Sequence, residues 1–209
     1  MPSSGVLLAQ LGQITNTWRS VAIGWHAAIV AFLAALVLGW RPSDRLVIRL
    51  LALPMLSVSI LAWTAGNPFN AVVFGALAIF GLLLARSARA APFETPSGWS
   101  LVLGIVMVVY GLLYPHFVAS SSWTSYLYAA PVGLIPCPTL ALLVGVGFIV
   151  GLFRNRRWQL LVSAAAIFYG IVGVAKLQVN LDYGLLAGAV ALAFAGRLRL
   201  TARSRRLAA

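Results

Sequence analysis

The sequence predicts an all-α membrane protein: a bundle of about seven transmembrane helices, N-terminus outside and C-terminus cytoplasmic, with the fifth helix broken at a Pro-Cys-Pro motif. Three observations predict it. The chain of 209 residues is 62% hydrophobic and 9% charged, whereas a soluble domain carries about a quarter charged residues. Apolar runs of about 20 residues, the length that crosses a bilayer, recur from end to end. The basic residues fall on alternate connections, as the positive-inside rule requires.

Residues 1–19 form an N-terminal segment. Its apolar positions 7, 8, 11 and 14 recur at helical spacing and read as a short interfacial helix, with a disordered tail as the alternative. Residues 20–200 form one transmembrane domain, and 201–209 a basic cytoplasmic tail. The first apolar segment, about 21–40, is too long for a signal-peptide core and lacks a small-x-small cleavage site. The second, about 46–65, holds Pro54, where a kink is expected. The third, about 68–85, opens on Asn67-Pro68, a cap followed by a first-turn proline. The fourth is about 98–118 and the fifth about 132–153. The sixth is about 158–178 and the seventh about 183–198, with Arg197 and Arg199 placed to snorkel to headgroups.

On this assignment the connections after segments one, three and five, with the C-terminal tail, collect thirteen of the 15 basic residues, and Arg19 and Lys176 fall on the other side. The net charge of +12 therefore reads as a topology signal that meets anionic lipid on the cytoplasmic face, and not as a nucleic-acid footprint. Small residues at helical spacing, Gly147 with Gly151, Gly184 with Gly188, and Ala166, Gly170 and Gly173, predict close helix approach and offer faces for homo-oligomerisation.

The stretch Pro131–Thr139 is where chemistry would sit. Pro136 and Pro138 lack an N–H, and each disfavours the helical region at its predecessor, Ile135 and Cys137. The expectation is an irregular entry, then a helix with Pro138 as its first residue, leaving a polar recess lined by protein or water. Cys137, the single cysteine, precludes an internal disulfide; as a thiol at a helix start it reads as a metal ligand, a reactive group or a packing residue. Thr139 serves local backbone groups or a ligand. Lys176 either reaches the headgroups or turns inward to pair with Asp182. Asp182, or Asn180, caps segment seven. His26 and His116 read as satisfied or interfacial histidines, with His116 and Cys137 as the metal-ligand alternative. Trp25, Trp123, Tyr126 and Tyr128 suit an aromatic belt.

The candidate ligand-binding set is thus Asn67, His116, Pro136, Cys137, Pro138, Thr139, Lys176 and Asp182. No carboxylate pair, HExxH, phosphate loop or Ser-His-Asp spacing accompanies it, so no catalytic residue and no cofactor is assigned.

The motifs Asn67-Pro68-x-Asn70, Leu113-Tyr114-Pro115, Gly133-x-x-Pro136-Cys137-Pro138-Thr139 and Asp182-x-Gly184-Leu185-Leu186 resemble an uncharacterised family of bacterial multi-pass membrane proteins across roughly residues 20–196. The resemblance implies a bacterial inner-membrane location and supplies no activity. The stretch Gly133–Thr139 alone is also similar to a segment of nickel/cobalt efflux permeases, whose His- and Asp-rich motifs this chain lacks. The functional expectation is a small permease for an ion or polar solute. Helix N-termini with Lys176 point to an anion, and Cys137 with His116 to a soft metal. The alternatives are a non-catalytic membrane subunit or assembly factor and, last, a membrane thiol enzyme.

Overall fold

The structure, a computed structural model, describes the backbone of residues 3–93, 98–120 and 122–207, with side chains up to residue 195. The snorkelling of Arg197 and Arg199 and the side chains of the basic tail lie outside the described residues.

Every regular element among the described residues is helical. The α-helices are α1 (Ser4–Thr17), α2 (Arg19–Val37), α3 (Asp44–Thr64), α4 (Pro68–Ser87), α5 (Trp99–Leu112), α6 (Tyr126–Ala129), α7 (Pro136–Ile149), α8 (Arg156–Ile171) and α9 (Asp182–Leu207). A π-helical stretch, Val172–Lys176, extends α8. The count is nine and not seven, because the N-terminal segment is a full helix and the connection after α5 contains the one-turn α6. The seven apolar segments correspond to α2, α3, α4, α5, α7, α8 and α9. Four helices, α2, α3, α4 and α8 with its extension, are long and apolar enough to cross a membrane. α5 and α7 have 14 residues each, about 21 Å at 1.5 Å per residue, short of a hydrocarbon layer of roughly 30 Å.

Local chemistry sets the helix starts. The Oγ of Ser43 accepts the Leu46 N–H at 3.3 Å, the Oδ1 of Asn67 accepts the Asn70 N–H at 3.1 Å, and the Oδ1 of Asn155 accepts the Trp158 N–H at 3.2 Å. Each side chain answers a first-turn donor that the helix leaves open. α3 continues through Pro54 without a break in its helical assignment.

α7 is the centre of the molecule. Twelve of its 14 residues are buried, and α3, α5, α8 and α9 all pack against it. A helix apolar all round must be enclosed all round. α2 is the opposite case: only Ala22, His26, Ile29 and Leu36 are buried, a narrow stripe that leaves most of its surface uncovered by the rest of the chain.

Glycine sets the closest approach, but at other positions than the sequence spacing suggests. A Cβ on Gly104 would come within 2.9 Å of the Gly145 carbonyl oxygen, and one on Gly145 within 2.6 Å of the Val108 nitrogen. Gly111 similarly meets the Pro138 carbonyl oxygen at 2.8 Å. These contacts press α5 onto α7. Gly147 has only the Trp158 indole nitrogen nearby, at 3.8 Å, and Gly151 ends the helix in left-handed geometry, so the pair is not a packing motif. Gly184 and Gly188 do bring α9 close, against Tyr110 and Met107 of α5. Gly170 of α8 likewise meets Leu186 of α9.

At the end of the bundle where α3 begins, arginines join chain segments. Arg41 Nη1 donates to the Leu36 carbonyl at the end of α2 at 2.7 Å, beside the Gly39 N–H that the same oxygen accepts at 3.2 Å. Arg45 Nη2 reaches the Arg86 carbonyl near the end of α4 at 3.4 Å.

Candidate functional site

The start of α7 differs from the expectation in register. Ile135 is extended (φ −129°, ψ 159°), as a residue before proline should be, but helix begins at Pro136 and Cys137 lies inside it. Both prolines sit in the first turn, where the missing N–H groups would have had no intrahelical partner. Pro138 is the third helical residue, and the irregular backbone lies upstream of Pro136. There the chain turns at Gly133, whose φ of +74° favours glycine. Thr139 Oγ1 accepts the Gly133 N–H at 2.8 Å and donates to the Ile135 carbonyl at 2.7 Å, both buried. The turn is closed by protein, so it does not form the open polar recess expected from the prolines. Trp25 seals its other side: a Cβ on Gly133 would lie 2.3 Å from the Trp25 ring. Trp25, half-buried, also donates to Ser57 Oγ at 3.1 Å.

A cavity of about 700 Å³ opens beside the start of α7. It gathers Asn67, Pro136, Cys137, Lys176 and Asp182 from the expected set. Pro138 and Thr139 are buried next to it and do not line it, and His116 stands on the exposed loop after α5. The His116 ring packs edge-on against Phe117 at 4.3 Å, and Phe117 does line the cavity. Cys137 and His116 are thus not brought to one point. Among the described residues no three His, Cys, Asp or Glu side chains cluster as a metal site would need. His26 is a buried histidine with its ring nitrogens 2.9 Å and 3.0 Å from the Ala22 and Leu112 carbonyl oxygens, and its tautomer decides which of the two accepts its N–H.

The polar part of the wall centres on Asp182, only 1% exposed. Tyr114 Oη donates to its Oδ1 at 2.9 Å, and Cys137 Sγ donates to its Oδ2 at 3.3 Å. Its carboxyl partners thus come from α7 and from the loop just after α5, in place of the capping role expected for it. Gly173 makes the room, since a Cβ there would fall 1.7 Å from Oδ2. The π-helical turn positions Gly173: the Leu177 N–H bonds back five residues to the Val172 carbonyl at 3.1 Å, and the Val179 N–H reaches the Gly173 carbonyl at 2.9 Å. π-Turns recur at functional sites. Next to this cluster, Tyr169 Oη donates to Asn70 Oδ1 at 2.8 Å. Lys176 is exposed and stands among the residues that line the cavity.

The rest of the wall is apolar and aromatic, with Leu11, Phe69, Phe117, Phe168, Val172 and Val179 contributing. α1 covers one side through Leu7, Gln10 and Leu11. Asn16 fastens it: Nδ2 donates to the Phe117 carbonyl at 3.0 Å and Oδ1 accepts the Ala119 N–H at 2.9 Å. Phe117 and Gln178, both beside the cavity, have positive φ of 79° and 57°, the kind of local strain that surrounding contacts must hold in place.

Asn70, Tyr114, Tyr169 and Gly173 were not singled out as site residues by the sequence reading. Asn70 and Tyr114 stood within the resemblance motifs, which was an available signal. Tyr169 and Gly173 lie in an apolar segment, and only the fold brings them to Asp182 and Asn70.

No family model matches the chain, and no curated protein or solved structure matches it either.

Proposed function

We propose that the chain is a permease-like, multi-pass protein of the bacterial inner membrane, with seven crossings, N-terminus outside and C-terminus in the cytoplasm. It takes a small solute into an outward-facing cavity at the start of α7. The observation that carries this reading is the convergence of Asn67, Cys137, Lys176 and Asp182 from four segments on one cavity of about 700 Å³, within the size range of small-molecule sites. A buried carboxyl among membrane helices is costly and marks a site by default. The alternation of basic residues supports the orientation, and the arginine-rich face suits anionic lipid as its partner. The resemblance to the bacterial multi-pass family supports the location.

Cys137, the single cysteine, tests the reading. In intact cells a small membrane-impermeant methanethiosulfonate reagent is expected to modify it from the outside. Absence of labelling in intact cells, with labelling in the detergent-opened protein as the control, sinks the outward-facing cavity.

A further inference from the structure

We infer that the solute is a lipophilic monovalent cation, an apolar or aromatic body carrying one delocalised or quaternary positive charge. The inference rests on the permease reading above and narrows its substrate class.

The helix N-termini first suggest an anion, but the structure answers each one internally. The start of α4 has a proline at its first position and its Asn70 N–H is already taken by Asn67 Oδ1. The start of α7 has lost two of its open donors to Pro136 and Pro138. The start of α9 carries its own acid, Asp182. A helix terminus attracts anions through free N–H groups and uncompensated partial charge, and little of either remains.

Asp182 is the acid of the cavity wall, and a cation bound beside it favours its ionised form. The titratable groups facing the cavity or this carboxyl are Tyr110 of α5 and Tyr114 just after it, Cys137 of α7, and Tyr169 and Lys176 of α8 and its extension. α1 contains no charged residue, and the only charged residue of α4, Arg86, lies at its far end. Tyr114 and Cys137 each give one hydrogen bond to this carboxyl and so fix its orientation at the cavity.

The aromatic wall fits the same ligand. Phe69 and Phe168 have centroids 5.9 Å apart, and Phe168 and Tyr169 5.2 Å. A desolvated cation over such faces gains cation–π attraction, the basis of quaternary-ammonium cages. Phe69 is 56% and Phe168 45% exposed while both line the cavity. The wall between α4 and α8 therefore opens sideways, toward lipid tails in a membrane, a route suited to a hydrophobic ion. Lys176 stands at the exposed rim and opposes the cation there.

The test is equilibrium binding of tetraphenylphosphonium and of its near-isosteric anion, tetraphenylborate, to the purified full-length protein in lipid nanodiscs, with empty nanodiscs subtracted. Saturable tetraphenylphosphonium binding is expected, without saturable tetraphenylborate binding. Asp182→Asn should weaken it at least about tenfold and Phe168→Leu a few-fold, while Lys176→Gln tightens it. Should Asp182→Asn fail to fold, the other two variants decide, and an affinity unchanged in both overturns the inference. Preference for tetraphenylborate, or weakening by Lys176→Gln, overturns the cation class and leaves the cavity reading standing. Binding of neither ion also overturns the inference, and the Cys137 labelling result then decides separately whether the permease reading fails with it.

Discussion

Gly133 shows how one residue fixes the geometry of the site. It answers two demands at once, a φ of +74° and contact with the Trp25 ring. Gly133→Ala is therefore expected to destabilise the protein by about 2 kcal/mol or more, read as a lowered midpoint in thermal unfolding in detergent. An unchanged midpoint would show that neither demand binds. Thr139 holds the same turn through two buried hydrogen bonds. Thr139→Val keeps the shape and removes both, leaving the Gly133 N–H without its acceptor, at about 1–3 kcal/mol. The prolines made an irregular entry legible in the sequence, though not its register or the turn at Gly133. Steric rules at Pro136 and Pro138 apply to the residue before each, yet the first helical turn tolerates missing donors, and that allowance moved the helix start to Pro136. The bond from Cys137 to Asp182 spans 45 positions in the chain, and no local pattern encodes it.

Among the elements, the α5–α7 contact and the α1 cover carry separate roles. Gly145→Val would drive a side chain into Val108 and the Gly104 backbone. It should separate α5 from α7 and lower the unfolding midpoint, at about 1–3 kcal/mol for overpacking; a neutral result would mean that the helices slide apart freely. Asn16→Ala removes the clamp between α1 and the loop at Phe117. The expected outcome is faster thiol modification of Cys137 with little change in unfolding temperature, because the clamp lies at the surface. Unaltered modification kinetics would show that α1 does not control access. Helix existence was readable from hydropathy and the start of α4 from Asn67-Pro68. The tight α5–α7 seam was not, since Gly104 and Gly145 belong to separate segments and close approach between them is decided by tertiary packing. Conversely, Gly147 and Gly151 had the right spacing and the wrong context, because Gly151 terminates its helix.

For the molecule as a whole, the distribution of basic residues predicts which end meets which side of the membrane. With Cys137→Ser as the background, a reporter Gln178→Cys, at an exposed position, should react with an impermeant reagent in intact cells. Ser87→Cys, exposed at the end of α4, should react only after permeabilisation. The reverse pattern would invert the topology and with it the direction in which the cavity opens. The enclosure of α7 has a mechanical meaning beyond its role in stability. In the permease proposed above, a rod gripped on every flank by α3, α5, α8 and α9, and barred from lengthening at its head by two imino acids, would be the stationary part. Alternation in such a permease would then fall to pieces with loose sides, the N-terminal cover and the wide-wound tail of α8, swinging about a post that stays still.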